Sequence, residues 1–406
     1  MSPTTFSHEG QANSSAEPDQ RELLPFYYEQ FLDDPHDHFR RLRDEYPVLK
    51  LDSGTYVVSR YEDVSTILRH TRSSVQQVDF GAFDILHSSL VGMDDPTHTR
   101  HKRFVNTLFT PKSARTWMDT TTSYVEQALS EAASTRRIEA VRELCLVPIH
   151  ATTCCILGLP VERADEVRHY TYQFARGFGL VADDEDLQAG AEGSQWLENY
   201  CTEVIDRVHD VPPNSVLATY IEAEKRGEIS RRQTVANILL FLAAGQFSPT
   251  NVTAHGLERM ASDPELFNAF REDPAIRPKV VNELLRYSTP EVGVTRLILD
   301  DVEIAGTVLP AGSVVYALLA SANRDERVFA DPDRFDYLRP AQERPHVAFA
   351  AGLHTCMGQI LARQEAEAIL TAVASRCTHI ELIGDVEYNS IQHARQWKTL
   401  NLALTY

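Results

Sequence analysis

A single cysteine stands among glycine, histidine and phenylalanine near the C-terminus. The segment HVAFAAGLHTCMGQIL places Cys356 between Gly352 and Gly358, directly before an amphipathic helical pattern. A helix N-terminus presents free backbone N–H groups and partial positive charge, which favour the thiolate form of a cysteine. Glycines allow the backbone to approach a large flat ligand closely. The pattern predicts a thiolate of lowered pKa beside such a ligand, although a free cysteine is commonly just a small buried hydrophobe.

A second unusual segment, GQFSPTN at 245–251, lies inside a long apolar helical pattern. In a helix interior, glycine costs about 1 kcal/mol and proline about 3 kcal/mol relative to alanine. Pro249 also lacks an N–H, which leaves the carbonyl of residue 245 without its helical donor. Ser248 and Thr250 could hold a water molecule in that gap. The segment predicts a functional opening of the helix, with a simple kink in a core helix as the alternative.

Both segments resemble those of the cytochrome P450 superfamily. The pattern Phe-x-x-Gly-x-His-x-Cys-x-Gly, from Phe349 to Gly358, is similar to the family's loop in which a thiolate is the proximal ligand of haem iron. Ala350 departs from it, because the family usually has glycine there. The family's buried Glu-Arg-Arg triad corresponds to Glu283, Arg286 and Arg334, and the first two are three apart on one helix face.

The resemblance implies the fold, a haem b cofactor and the residues that hold it. The expected fold is the mostly α cytochrome P450 fold with small β-sheets (α+β), a single large haem-binding domain at 21–406 after a disordered segment at 1–20. The implied haem contacts are His98, Lys102, Ala244, Gly245, Arg296, Phe349, His354, Cys356 and Gly358, with Cys356 as the iron ligand. Histidine, lysine and arginine would neutralise the propionates; Lys102 replaces the family's usual arginine and makes a less directional contact, unless it simply faces solvent.

The distal helix of the family usually reads Ala-Gly-x-(Asp/Glu)-Thr-Thr. Here Phe247 stands at the acid position and cannot titrate, and Ser248 stands at the alcohol position. The candidate catalytic residues are Gln246, Ser248 and Thr250. Ordinary hydroxylation is therefore expected to be handicapped, unless the substrate's own N–H or O–H groups order a water molecule. The other routes are use of peroxide, or oxidation of a substrate that then couples to another group.

The residues implied to touch substrate are mostly aromatic or apolar, with a few amides: Phe83, Leu86, Asn237, Phe241, Phe247, Val292, Val294, Gln392 and Trp397. This set favours a planar, amide-bearing aromatic substrate over a fatty acid. We expect a haem-thiolate oxidase of bacterial secondary metabolism that couples an aromatic substrate such as a cyclodipeptide. The alternatives are a conventional monooxygenase that hydroxylates or epoxidises a natural product, a peroxygenase, or a haem-binding accessory protein without turnover.

Composition limits the partners and the location. The 406 residues carry a formal charge of -19, which argues against a nucleic-acid partner. No apolar run is long enough for a membrane span, the first 22 residues show no apolar core of the kind signal peptides have, and the cysteines lack metal-finger spacing, so we expect a cytoplasmic monomer. Electrons are expected from ferredoxin and a NAD(P)H-dependent ferredoxin reductase. We expect a positively charged patch to attract an acidic ferredoxin; its residues are Arg100, Lys102, Arg103, Lys112, Arg344 and Arg363.

Helical patterns dominate the elements that must position these residues. They cover about 113–133, 138–158, 160–178, 190–210, 232–262 and 277–288, with a further helix after Cys356. The segment VLKLDSGTYVVSR alternates around Ser53-Gly54 and predicts a hairpin. Strands are also expected at about 292–318 and in the last 30 residues.

Overall fold

The computed structural model describes residues 20–24, 35–78, 81–207, 210–340, 344–389, 391, 394 and 396–406. In these ranges the α-helices are α1 (Gln20–Leu23), α2 (His36–Glu45), α3 (Tyr61–Arg69), α4 (Thr97–Val105), α5 (Pro111–Ala132), α6 (Val147–Leu157), α7 (Ala164–Arg176), α8 (Asp184–Arg207), α9 (Val216–Lys225), α10 (Arg231–Ser262), α11 (Pro264–Glu272), α12 (Arg277–Tyr287), α13 (Leu319–Ala322) and α14 (Gln359–Arg376). Shorter helical turns lie at Gly81–Ser88, Leu90–Gly92, Asn106–Phe109, Val141–Leu146, Pro274–Ile276 and Gly352–His354. The segment expected to be disordered lies outside the described residues, except Gln20, which begins α1.

The strands form small sheets at the edge of the helical body. They are β1 (Val48–Lys50), β2 (Tyr56–Val58), β3 (Ser73–Ser74), β4 (Arg137–Glu139), β5 (Val294–Ile298), β6 (Val302–Ile304), β7 (Thr307–Leu309), β8 (Val314–Ala317), β9 (His379–Leu382), β10 (Glu387–Asn389), β11 (Gln396–Thr399) and β12 (Asn401–Thr405). The largest sheet has the order β1-β2-β8-β5-β3, in which only the β2–β8 pair is parallel. The others are β4-β12-β9, β6-β7 and β10-β11.

The predicted mostly helical fold is confirmed, with shifts at element ends. The predicted hairpin pairs Val48 with Val58, and Gly54 turns the chain with a φ of +87°. The helical pattern at 138–158 is less regular than expected, because β4 and the turn at Val141–Leu146 precede α6. The pattern at 190–210 begins earlier, at Asp184, where three acidic residues occupy the first turn of α8 and complement its dipole.

Helix α10 runs through the middle of the molecule. It begins with a capping box, in which Ser230 and Gln233 satisfy each other's backbone N–H groups. Its N-terminal half packs into one apolar cluster with α8 and α9, and its C-terminal half packs into another with α5, α12 and α14. Residues 243–251 lie between the two clusters, which is where the unusual segment falls. No helix within the described ranges is both long and apolar enough to cross a lipid bilayer.

Candidate active site

The loop that carries Cys356 is held by a backbone hydrogen bond within itself and by a hydrogen bond to a side chain at the end of α13. The Cys356 N–H donates to the Phe349 carbonyl at 3.0 Å, and the Val347 N–H donates to Asn323 Oδ1 at 2.7 Å. Gly352 has a φ of +75°, and a Cβ there would lie 2.5 Å from the Leu68 carbonyl oxygen, so glycine is required. Ala350 also has a positive φ, +55°, a conformation that L-residues rarely adopt. The glycine that the family usually has at this position therefore has a conformational reason.

The Cys356 side chain is exposed, yet burial raises the pKa of its thiol. The two observations agree if the sulfur faces a narrow space inside the protein, where it touches open volume but is poorly solvated. The Gly358 N–H, at the start of α14, donates towards the sulfur and opposes that shift. The sequence-based prediction of a lowered pKa was wrong for the chain alone, because burial outweighs the helix terminus. A metal ion deprotonates such a thiol on binding.

Four of the predicted haem contacts form one group of basic side chains. The His98 and His354 rings lie 4.5 Å apart, and Lys102 and Arg296 are near enough to act on His354 electrostatically. Burial, then Arg296 and His98, lower the pKa of His354 to about 3, and burial and Lys102 lower the pKa of His98. The group is preorganised for an anion. Phe349, another predicted contact, packs against the Arg363 guanidinium at 4.4 Å.

At its centre α10 stays helical through Pro249, so the predicted opening of the helix is not seen. The Gly245 carbonyl, which loses its helical donor to the proline, accepts a hydrogen bond from Thr153 Oγ1 of α6 at 3.3 Å. A Cβ at position 245 would lie 3.1 Å from the Thr153 methyl carbon. Glycine thus allows α6 to approach closely enough to supply the replacement donor.

Next to this stretch lies a largely apolar cavity of about 300 Å³. Its walls come from the loops before α4, from α7, from α10 and from the strands β5 and β8; they are Val75, Val78, Leu86, Val91, Thr171, Phe174, Ala175, Phe178, Leu240, Ala243, Ala244, Phe247, Glu291, Gly293, Val294, Thr295, Arg296 and Tyr316. Ala244 is exposed in the middle of an otherwise buried helix, since it faces this space. The cavity therefore adjoins the predicted haem contacts Ala244 and Arg296.

Ser248 points to a carboxyl group that the sequence reading did not include. Its Oγ donates to Glu291 Oε1 at 2.8 Å, from α10 to the segment between α12 and β5. Burial raises the pKa of Glu291 to about 7, and the Ser248 bond partly opposes this. Glu291 also acts electrostatically on the Cys356 thiol and raises its pKa, although Cys356 is not among the residues that line the cavity. An acid and an alcohol thus meet here, although the acid is not on α10.

The other two candidate catalytic residues lie outside the lining of the cavity. Gln246 is buried, and its Nε2 lies 3.0 Å from His150 Nδ1 of α6, with burial lowering the pKa of His150 to about 4. Thr250 is buried too, and its Oγ1 has no hydrogen-bond partner in the described structure. A water molecule bound to Thr250 remains a prediction, whereas Gln246 is engaged elsewhere.

Of the nine predicted substrate residues, three line the cavity, one lies behind its wall, four do not reach it and one lies outside the described residues. Leu86, Phe247 and Val294 line the cavity. Phe83 supports the wall from behind, with its ring 5.4 Å from Phe174 and 4.6 Å from Phe178. Gln392 lies outside the described residues.

The remaining four predicted substrate residues do not line the cavity and serve the core. Asn237 accepts from the Leu90 N–H at 2.9 Å, and Phe241 packs on Phe109. Val292 is buried in a neighbouring apolar cluster. Trp397 is 1% exposed and donates Nε1–H to Glu258 Oε2 at 2.8 Å. Each was implied by the family resemblance, but packing turns it away from the cavity.

The predicted Glu-Arg-Arg triad has a different third member. Glu283 and Arg286 form a buried pair with N···O 2.7 Å, as expected. The third cation is Arg339, whose Nε lies 3.1 Å from Glu283 Oε1. Arg334 was wrong: its side chain is 66% exposed and pairs with Asp336, while its carbonyl accepts from Arg286 and Arg339.

Comparison with known proteins decides the family. The cytochrome P450 family model matches residues 182–393. The chain is 30% identical over 350 residues to a steroid C26-monooxygenase of Rhodococcus jostii, covering 82% of this chain and 72% of the relative. It is 31% identical over 296 residues to pentalenic acid synthase of Streptomyces avermitilis, covering 72% and 71%. The chain belongs to the cytochrome P450 family. Among solved structures, ligand-free CYP164A2 of Mycobacterium smegmatis matches with a TM-score of 0.86 and 27% identity, covering 95% of this P450 and all of that chain.

The residues of this P450 fit haem b, the cofactor of the family. Arg296 is buried, and among the residues described here no carboxylate comes within 4.0 Å of it; burial lowers its pKa to about 10. His98 Nδ1 is buried without a hydrogen-bond partner in the same part of the structure. Buried cations and donors need partners, and two propionate groups are suitable ones. The individual haem contacts remain predictions.

Several residues of this P450 site were missed by sequence reasoning. From the segment PEVGVTR the sequence reading chose Val292 and Val294; Val294 lines the cavity, Val292 does not, and Glu291, which also lines it, was not chosen. A carboxylate in an apolar stretch was the available signal. Thr153 and Tyr316 carried no signal, since only the folding of α6 and β8 against the site shows their contacts.

Proposed function

We propose that this P450 tailors an aromatic, amide-bearing molecule of bacterial secondary metabolism, joining or closing rings of a cyclodipeptide-like substrate through C–C or C–N bonds. The observation that supports this is Phe247, whose ring forms a cavity wall at the position where the resemblance expects an acid. With Phe174 and Phe178 it offers aromatic surface to a planar ligand. Glu291 in the same cavity disfavours a fatty-acid carboxylate.

The thiolate-bound haem supplies one-electron and dioxygen oxidation chemistry. Cys356 would provide the thiolate ligand, and His98, Lys102, Arg296 and His354 would hold the propionates. Ala244 leaves open space at the centre of α10, while the phenylalanine walls exclude water from a bound substrate.

A second candidate is conventional monooxygenation, and the Ser248–Glu291 hydrogen bond favours it. A carboxyl whose pKa is about 7 can hold or release a proton at neutral pH, and Ser248 Oγ can pass it on. The acid that α10 lacks would then be supplied by another segment. The name of the Rhodococcus jostii relative, a steroid C26-monooxygenase, is consistent with this class of reaction.

The test is a spectral titration of the ferric holoprotein followed by product analysis. The panel contains aromatic cyclodipeptides, free aromatic amino acids, macrolide-like polyketides and fatty acids. A low-to-high-spin shift with cyclodipeptides and a ring-coupled product free of labelled oxygen from ¹⁸O₂ would support the first candidate. A labelled hydroxyl or epoxide as main product would support monooxygenation. Turnover with hydrogen peroxide alone would favour a peroxygenase. A protein that shows a haem spectrum but no substrate-dependent reduction would favour an accessory role.

We also propose that a small acidic ferredoxin delivers electrons near α4 and the start of α5. Arg100, Arg103 and Lys112 are exposed there on an otherwise acidic protein. Arg103→Glu or Lys112→Glu should slow reduction by ferredoxin and leave reduction by dithionite unchanged. Lys50→Glu, an exposed position on β1, is the control for net charge. Equal ferredoxin rates in all variants would exclude this surface.

A further inference from the structure

Arg363 is a half-buried cation in α14, close to the cysteine loop. Its side chain folds back towards the N-terminus of the helix, where Nη1 donates to the Gln359 carbonyl oxygen and to Gln359 Oε1, each at 3.3 Å. Its guanidinium also stacks on the Phe349 ring at 4.4 Å. The backbone carbonyl of Phe349 accepts from the Cys356 N–H at 3.0 Å. The guanidinium is therefore held against the same short loop and helix start that carry the sulfur.

The positive charge of Arg363 is not compensated by its neighbours. Within the described ranges no carboxylate lies within 4.0 Å of the guanidinium. His346 Nδ1 accepts from the Ala348 N–H at 3.2 Å, so the ring proton is on Nε2. That nitrogen lies 3.2 Å from Asn282 Oδ1, its acceptor, and 3.4 Å from Arg363 Nη2. Burial, then Arg363 and Arg286, lower the pKa of His346 to about 3, so this neighbour is neutral and adds no negative charge.

The group of opposite charge within reach of this guanidinium is the thiolate of Cys356. Burial lowers the pKa of Arg363, and the Cys356 thiolate raises it. On the pKa of the thiol itself, burial and Glu291 act upwards, whereas Lys102 and Arg363 act downwards. Lys102 belongs to the basic group proposed to hold the propionates, whose negative charge would offset it. Arg363 is outside that group, so its charge still acts on the thiolate when haem is bound.

We propose that Arg363, held by Phe349 and Gln359, raises the reduction potential of the haem iron by keeping a positive charge beside the Cys356 thiolate. The ferrous state carries one more electron than the ferric state, supplied by the external donor, and a nearby cation stabilises it. A half-buried charge is screened less by salt than one on the surface. The inference goes beyond the proposed function, because it requires Cys356 as the iron ligand but no particular substrate.

A reductive titration of the holoprotein with dithionite and soluble redox dyes tests this without ferredoxin. Arg363→Gln should change the ferric–ferrous equilibrium about tenfold, which for one electron makes the midpoint potential about 59 mV more negative. Arg363→Lys keeps a cation at this position and should stay close to the wild-type potential. Arg376→Gln is the matched control, because it removes an exposed arginine that pairs with Glu126 at the far end of the same helix. Salt screens a surface charge at that distance.

A vibrational spectrum separates the effect of charge from that of local structure. In the ferrous carbon monoxide complex of Arg363→Gln, the thiolate should donate more electron density through iron and so lower the C–O stretching frequency. Arg363→Lys should keep the wild-type frequency, although lysine lacks the planar guanidinium that stacks on Phe349 and donates to Gln359. A purely structural role of the arginine would instead affect both variants alike.

Three results would overturn the inference. The first is an Arg363→Gln protein with bound haem and the wild-type midpoint potential. The second is an equal shift in Arg363→Lys, which would assign the effect to the planar side chain and not to its charge. The third is an equal shift in Arg376→Gln, which would assign it to the net charge of the protein. If Arg363→Gln does not retain haem, Arg363→Lys decides: retention of haem by the lysine variant supports the need for a cation, and its loss overturns the inference.

The carbon monoxide complex of the wild-type protein also tests the premise. A Soret band that lacks the red shift of thiolate ligation would remove Cys356 as the thiolate ligand and overturn the inference with it. A thiolate-type band together with an unchanged potential in Arg363→Gln would overturn only the effect of Arg363. The substrate titration and product analysis described above decide the proposed function independently of either result.

Discussion

On the cysteine side, the hydrogen bond of the Cys356 backbone stays within one short loop, whereas on the α10 side the key hydrogen bond joins segments far apart in sequence. The Cys356 N–H returns to the Phe349 carbonyl within that loop. Ser248 instead reaches a carboxyl 43 residues away. The loop keeps the pattern of the family almost intact, and the distal helix departs from it at Phe247 and Pro249. The comparison shows that a chain with no acid at position 247 can still place a carboxyl group, that of Glu291, beside Ser248 from another segment.

The variant with the largest expected effect tests whether Ser248 and Glu291 act together in proton transfer. If the reaction is monooxygenation, Ser248→Ala should lower the fraction of NADPH electrons recovered in product on the order of a hundredfold, as for a positioned proton-transfer group. Thr250→Val should have a much smaller effect, because Thr250 does not line the cavity. The measurement compares NADPH consumed with product formed. An equal loss of electrons from product in both variants would indicate a proton path through Thr250. No loss in either variant would favour oxidative joining of aromatic rings over monooxygenation.

A smaller effect is expected from the buried ion cluster, in which Arg286 also donates to the carbonyl of Asn323, the residue whose side chain accepts from Val347 in the cysteine loop. Arg339→Met should lower the free energy of unfolding by about 2 kcal/mol, less than the ~3–5 kcal/mol for losing the sole partner of a buried charge, because Glu283 keeps Arg286. Arg334→Met should leave the unfolding midpoint unchanged. Chemical denaturation of the two holoproteins compares them directly, and the reverse order would restore Arg334 to the cluster.

The smallest effect concerns the one departure within the cysteine loop. Ala350→Val should destabilise the protein by about 1–2 kcal/mol, because a β-branched side chain is strained at a φ of +55°. Ala350→Gly should not destabilise it by a comparable amount, since glycine adopts this conformation freely. Thermal unfolding of both variants gives the comparison. If valine is tolerated, the loop adjusts its backbone at position 350. The glycine that the family usually has there would then not be explained by the positive φ.

Sequence reasoning succeeded where the information is local. The helix after Cys356 and the pair Glu283–Arg286 depend on residues close in sequence, and the structure agrees with both predictions. It failed where side-chain direction depends on distant packing. Arg334 and Arg339 lie in the same irregular segment, and only the fold decides which one turns towards Glu283. Trp397 is of a residue type that is common in ligand sites, but here it is buried in the core.

The thiol pKa shows the same limit in electrostatic form. A helix N-terminus is visible in the sequence, and its effect on Cys356 is present as the Gly358 N–H. The depth of the surrounding space is not visible, and its desolvation is the larger influence. The sequence therefore predicted the direction of one contribution to the pKa shift of Cys356, but not the direction of the net shift.

The uneven exposure of the six cysteines gives the chain a built-in chemical reporter. Cys145, Cys154, Cys201 and Cys377 are buried, and Cys155 is partly so, whereas Cys356 is exposed. Burial raises the pKa values of the four buried thiols, as it does for Cys356, so what distinguishes them is that an alkylating reagent cannot reach their sulfur atoms. In the folded chain without haem, alkylation is directed to Cys356, and ligation of iron by that sulfur would protect it. The extent of alkylation thus counts empty molecules in a preparation, independently of any colour or turnover.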